Sequence, residues 1–393
     1  MRRLLANPPN HRSSSTTGVT NGSDTNGDSS TRPFHLCILA ITIIDLHQAA
    51  IWQEWAAAAA ISNTDTFSDN ENDNDDDDNN GDCPIFVSLI GHTKHPNGVR
   101  NNWFRSKLLL VPPIQNRNGP SRRWVYRTRR PEWGSIQITQ AMMDLAREAC
   151  RIGTAPSQDE HDIHYSRERY NANGPNGSDT TRPGLPPVDC VVYISETCLP
   201  VVSLPDFVRT VRSDPNKNKS WLQSRNTPNN GYARQQQFER INSVIPVSKR
   251  HKADQWILLQ RPHLQAVVDL DASLPLPLHK CFQHTRASDE LYFPTALAIL
   301  GILASNDGND NNNSNVVQTE TGGECRKQRV TYADWSMSAK NPASFRANEL
   351  KKVTELARKE GCLIARKFSE RVEIRNWKAI VLGESTKEGM DKT

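Results

Sequence analysis

The sequence predicts an α/β fold with a mainly parallel central sheet and helices on both faces. Three observations carry that prediction. The segments Phe34 to Ile44, 84–91 and 188–195 are continuous apolar runs rather than alternating ones, as strands covered on both faces are. Strand-like and helix-like patterns alternate along the chain, the signature of crossover connections. No stretch reaches the ~18–20 apolar residues that a membrane span needs, which sets aside a polytopic membrane protein.

Each element has a local reason. FHLCILAITII is rich in β-branched residues and reads as a buried strand. Asp45 is placed to cap a following helix, DLHQAAIWQEWAAAAA, with Ile51, Trp52 and Trp55 on one face. PIFVSLIG is the second strand. A Pro- and Arg-rich stretch over 96–131 reads as loop. Ser135 opens the helix SIQITQAMMDLAREACRI, and VDCVVYIS is the third strand, ending in the turn ETCLP. SLPDFVRTVR is a short helix with Pro near its start. QWILLQ is a strand, RPHLQAVVDL a helix, and SDELYFPTALAILGIL a helix expected to be capped by Ser288. RVTYADWS is a strand, ANELKKVTELARKEG an amphipathic helix stopped by Gly361, and CLIARKF a closing core strand.

Composition locates the exceptions. Apolar residues make up 36% of the 393 residues, and the deficit is confined to a few Asn-, Asp-, Ser- and Gly-rich tracts. Residues 1–32 read as disordered, and low-complexity insertions are expected at 62–82, 153–187 and 305–328 of one domain spanning 33–382, before a flexible tail at 383–393. The net charge is +4, but residues 69–82 alone hold eight acidic groups; without them 48 basic groups face 36 acidic ones. A basic body suits a phosphorylated small molecule, a membrane surface or nucleic acid. Nucleic acid is the weakest of these, because no zinc-finger spacing, helix-turn-helix pattern or aromatic-basic signature accompanies the charge. Eight cysteines without a CxxC encode no zinc site and no small disulfide scaffold.

The common catalytic signatures are missing. There is no GxGxxG after the first strand, no Walker lysine loop and no GxSxG. After VVYIS stands Ser195-Glu196-Thr197, not Asp-x-Asp, and the DxD inside 73–78 is a matter of composition.

Six segments, taken in order, carry a resemblance: Trp133-Gly134 before a helix, the turn Ile194 to Pro200, the stretch Pro246 to Trp256 (PVSKRHKADQW), Asp289 to Thr295 (DELYFPT), Thr331 to Ser336 (TYADWS) and Cys362 to Phe368 (CLIARKF). Together they resemble the core-2/I-branching β-1,6-N-acetylglucosaminyltransferase-like proteins of glycosyltransferase family 14, in their plant- and alga-type branch. The likeness covers about residues 33–370 once the insertions are set aside.

The resemblance implies a GT-A-type fold. It also implies inverting transfer of a sugar from a UDP-sugar to a hydroxyl of a glycan or glycoprotein acceptor, with neither a divalent metal nor another cofactor. GlcNAc is the first choice of sugar, and related branches move xylose or glucuronic acid. Glu290 falls on the family's catalytic base, a carboxylate that takes the acceptor's proton as its oxygen attacks. Its neighbour Asp289 leaves the helix on another side. Arg366 and Lys367 fall on the basic groups that neutralise the departing diphosphate, Lys367 being the better match; by composition alone they would end an edge strand in solvent. Glu196, at a strand's carboxyl end, and Trp133 are candidates for the donor side. Lys249 and Lys252, beside Arg250, read equally as acceptor contacts and as a solvated turn. Tyr332 and Asp334 are candidate acceptor contacts, whereas Trp256 and Trp335 read as core. His92 and His95 lack acidic or thiol company and read as no metal pair.

Two departures stand beside the likeness. The family's second strand ends in a His with an Asp two residues later, whereas here His92 is followed at that place by Lys94. A catalytically inactive carbohydrate- or nucleotide-sugar-binding relative is therefore the alternative expectation. Family members are typically single-pass Golgi proteins, which implies membrane association and the secretory pathway, yet this chain shows neither a membrane anchor nor a signal peptide.

Overall fold

A computed structural model describes residues 32–62, 83–111, 129–132, 134–154, 185–226, 245–274, 277–303, 324–336 and 341–384, with short pieces between 115 and 127. Most of the three expected insertions, both termini and Trp133 lie outside the described residues.

The strands that organise the chain are β1 (Phe34–Thr42), β2 (Ile85–Thr93), β3 (Cys190–Ser195), β4 (Leu199–Pro200), β5 (Ser220–Trp221), β6 (Leu258–Gln260), β7 (Cys325–Arg326), β8 (Thr331–Ala333) and β9 (Ile364–Arg366). Six of them form one sheet in the order β7-β5-β6-β3-β1-β2. The pairs β1/β2, β1/β3 and β5/β7 are parallel, while β6 runs antiparallel to both its neighbours. The sheet is therefore mostly parallel, as the apolar runs predict, with one reversed strand.

The continuous hydrophobicity of β1 has a direct cause. Leu36, Ile38 and Ala40 enter one core, and Cys37 and Leu39 enter the other. The first core also takes helices α1 (Ala49–Ser62), α3 (Leu204–Arg212) and α6 (Leu350–Lys359). The second takes α2 (Ile136–Arg151), α4 (Arg261–Ser273) and α5 (Asp289–Ile299). With both faces covered, a polar residue at any of these positions would lose its water without gaining a partner.

The strands expected in RVTYADWS and CLIARKF are present, in a second sheet. β9 does not join the main sheet. It pairs with β8 and β4 in a separate three-stranded sheet, parallel to β8 and antiparallel to β4. β4 is pinned from behind by three indoles: Trp52 donates to the Cys198 carbonyl at 3.0 Å, Trp377 to Pro200 at 2.8 Å and Trp55 to Val202 at 2.9 Å. Buried Trp needs such a partner for its N–H, and the irregular strand supplies carbonyls that no ladder uses. β7 falls inside the span expected as the third insertion, so that insertion ends before residue 325.

Two caps also differ. Helix α1 starts at Ala49, and Asp45 does not cap it. Its carboxylate instead accepts the N–H groups of Leu46, Arg100 and Asn101, tying the end of β1 to the 100–101 segment. Ser288 already has helical backbone angles and makes no side-chain cap. Its hydroxyl pairs with Thr139 Oγ1 at 2.7 Å, locking α5 against α2. Ser203 does cap α3, accepting the Asp206 N–H at 3.2 Å.

Candidate functional site

The carboxyl ends of β1 and β3 form the edge where ligands bind in open α/β sheets. Glu196 follows β3 directly. Its Oε2 accepts the Ile43 N–H at 2.6 Å and its carbonyl accepts His47 N–H at 3.1 Å, so it closes the turn after β1. Because β6 is antiparallel, its beginning lies at this same edge: Leu258 sits opposite Val192, and Tyr193 N–H donates to Ile257 C=O at 3.1 Å. That brings Asp254 and Trp256 to the end of β3.

Glu290 reaches the site through a chain of local causes. Pro294 lies inside α5 and has no N–H, so the Glu290 carbonyl four residues earlier has no helical partner. The Ala253 N–H takes it, at 2.9 Å. One turn on, Thr295 Oγ1 accepts the His251 N–H and donates to the His251 carbonyl, both at 3.2 Å. The strand His251–Lys252 is thereby fixed along the helix, and Lys252 Nζ meets Glu290 Oε2 at 2.8 Å. Lys252 is buried and Glu290 keeps about a fifth of its side chain exposed. On the opposite strand Arg225 pairs in register with Lys252 and adds a second cation.

The start of α5 is held just as firmly. Ala287 has φ +55, and its N–H donates to the Gly134 carbonyl at 2.8 Å. Gly134 itself has φ +71, and a Cβ there would stand 3.1 Å from the Ala287 nitrogen. The glycine of the Trp-Gly pair is thus required by left-handed backbone and by close docking on the turn that precedes Glu290.

Burial raises the affinity of Glu290 for a proton; Lys252 opposes this, and Asp254 adds to it. Asp289 is more fully buried. Burial, and then the charge of Glu290, push it up to about 7, and its Oδ1 has no hydrogen-bond partner among the described residues. Lys252 acts on it only weakly beside these two effects, since its ion pair is with Glu290.

Arg366 shares one neighbour with Glu290, the carboxylate of Asp254. Arg366 is 9% exposed, and its guanidinium lies 3.4 Å over the ring of Trp256. It does not face solvent. Trp256, expected in the core, packs against the first core while staying half-buried, and its ring carries this cation. Around Arg366 are Cys198, Asp254 and Glu196, each favouring its charged form. Lys367 is half-buried beside it. Asp254 is ion-paired to Arg329, Nε to Oδ2, at 3.3 Å.

The other candidates are spread more widely. Lys249 is half-buried on the short turn before His251. Tyr332 is buried and stacks on Phe345, with ring centroids 6.2 Å apart. Asp334 accepts the Ser336 N–H at 2.8 Å in the turn after β8. Trp335, also expected in the core, is half-buried. His92 is buried at the end of β2, accepts the Arg129 N–H at 3.0 Å, and is driven down to about 4 by burial, so it is neutral at pH 7. Sequence reasoning missed Arg225, Asp254 and Arg329 as parts of the site.

Among the described residues no three His, Cys, Asp or Glu side chains gather where a metal ion could sit, and no helix is long and apolar enough to cross a membrane. A cavity of about 660 Å³ lies at the amino edge of the sheet around Arg32, Phe34, Asp189, Arg212 and Arg261, and neither Glu290 nor Arg366 lines it.

No curated protein matches the chain. A family model described as core-2/I-branching enzyme matches residues 186–356, the span that holds Glu196, Lys252, Asp254, Glu290 and Tyr332. Over residues 186–356 the chain is thus similar to core-2/I-branching enzymes, a glycosyltransferase family.

Proposed function

We propose that the protein is an inverting, metal-independent glycosyltransferase that moves a sugar, GlcNAc first, from a UDP-sugar to a hydroxyl of a glycan acceptor. The observation that carries this reading is the pairing of Glu290 with Lys252 on the short segment 251–256, whose Trp256 carries Arg366. Glu290 takes the acceptor hydroxyl's proton. The freed oxygen bonds to the anomeric carbon, and the bond from that carbon to the β-phosphate oxygen breaks, so UDP departs with the electron pair. Lys252 keeps Glu290 ionised although burial favours its neutral form, and the raised proton affinity makes it a stronger base than a free carboxylate. Arg366 and Lys367 neutralise the charge that develops on the diphosphate, a task that a divalent ion performs in other transferases. The natural setting on this reading is the secretory pathway, at the Golgi membrane.

Titration calorimetry with UDP and UDP-GlcNAc, with and without EDTA, tests the proposal. UDP binding that survives chelation supports it. Loss of binding on chelation, restored by manganese, overturns the metal-independent mechanism.

The inactive, sugar-binding alternative is favoured by the end of β2, where Lys94 stands in place of the expected Asp and His92 is already engaged by Arg129. UDP-sugar binding without transfer or hydrolysis would select that alternative.

A further inference from the structure

Asp254 is a carboxylate that neither the base nor the phosphate contacts use. It lies on the four-residue path from Lys252, which grips Glu290 at 2.8 Å, to Trp256, which carries Arg366 at 3.4 Å. Its neighbour Ala253 is hydrogen-bonded to Glu290 itself. Its charge is felt at both ends, raising the proton affinity of Glu290 and stabilising the charge on Arg366. Arg329 holds one oxygen, Oδ2, at 3.3 Å, and about a third of the side chain stays open.

In the transfer proposed above, the anomeric carbon must stand between the base and the cation that holds the diphosphate. A carboxylate tied to both groups therefore flanks the sugar ring. Resting on that reading, we propose that Asp254 is a specificity-determining residue that accepts hydrogen bonds from hydroxyl or amide groups of the transferred sugar and excludes a sugar bearing its own carboxylate. Two like charges at such range repel, whereas a neutral hexose or N-acetylhexosamine supplies the donors that the free oxygen needs. This narrows the donor class to neutral sugars and sets glucuronic acid aside.

The test is titration of the full chain with UDP, UDP-GlcNAc, UDP-xylose and UDP-glucuronate, comparing wild type with Asp254→Ala and Asp254→Asn. UDP has no sugar, so its affinity should hold within about threefold in both variants, or tighten, since a negative charge near Arg366 is gone. The best neutral UDP-sugar should lose about tenfold or more relative to UDP in Asp254→Ala, the scale of a hydrogen bond to a charged group. UDP-glucuronate should gain relative to UDP in Asp254→Asn. Arg329→Gln, which leaves the carboxylate unneutralised, should lower UDP-glucuronate affinity further relative to UDP, the opposite sense to Asp254→Asn, and a thermal melt confirms that each variant is folded. An unchanged ratio of UDP-sugar to UDP affinity in folded variants overturns the assignment of Asp254 alone, as does a wild type that prefers UDP-glucuronate. Failure of the wild type to bind UDP at all overturns the transferase reading, and this inference with it.

Discussion

Replacing Asp289 by Asn should make the protein more stable at pH 8 and leave it nearly unchanged at pH 4. In the folded chain Asp289 is raised to about 7 by burial and then by the charge of Glu290, against an ordinary value of 3.8. The sign follows from proton binding. Between these two values the folded state holds a proton that the unfolded state has released, so stability is full below about pH 4 and falls as pH climbs to 7. At ~1.4 kcal/mol per unit, the three-unit gap corresponds to roughly 4 kcal/mol at most. Asn has the shape of the protonated acid and never ionises, so it avoids that loss. Because Oδ1 has no partner among the described residues, the amide displaces no hydrogen bond there. Urea unfolding of both proteins from pH 4.5 to 8.5 gives the difference directly, free of the titration of every other group. A difference that does not grow with pH, or a variant less stable than wild type at pH 8, would refute the placement of a neutral carboxyl at 289.

Glu290→Gln keeps shape and removes basicity; transferase turnover should fall by ~10²–10⁴ while UDP affinity and melting temperature stay close to wild type, and retention of most activity would show that another group is the base. Asp289→Asn should depress turnover far less, because Asp289 is the more deeply buried of the two and Lys252 pairs with Glu290. Arg366→Gln should weaken UDP binding by about tenfold or more in calorimetry, and equal affinity would remove Arg366 from the phosphate site. Gly134→Ala should lower the melting temperature, since it forces a side chain into left-handed backbone 3.1 Å from the Ala287 nitrogen; an unchanged melt would show that the turn before Glu290 is free to move.

How much of this was legible in the sequence depends on the range of the interactions involved. The first three strands could be read because burial on both faces leaves a local mark, an unbroken apolar run, and the helices because their periodicity is local too. β9 is legible as a buried strand closing the core, but the sheet it joins is not, since nothing in CLIARKF says which strand it will meet. Asp45 and Ser288 were read as caps because their types suit caps; in the fold, partners distant in sequence, the 100–101 amides and Thr139, took those polar groups first.

The site follows the same rule with one instructive exception. Lys252 and Glu290 are 38 positions apart, and neither residue names the other. Yet a signal was present in DELYFPT: a proline four residues after Glu290 must orphan that residue's carbonyl, and a buried carbonyl requires a donor from elsewhere. The motif therefore announces that another segment docks on the first turn of this helix. The sequence does not reveal that the segment is 251–254, and that fact is what brings Asp254 close to Glu290. A second mark was the aromatic residue next to a cation-rich stretch. Trp256 was assigned to the core on its size, but a half-buried indole can also carry a guanidinium, and only the docking of β9 against β4 supplies Arg366 to it. The placement of Glu290 and Arg366 thus depends on two backbone events, an orphaned carbonyl filled by Ala253 and a small second sheet closed by β4. Substitutions that disturb either event should move Glu290 or Arg366 without touching their side chains.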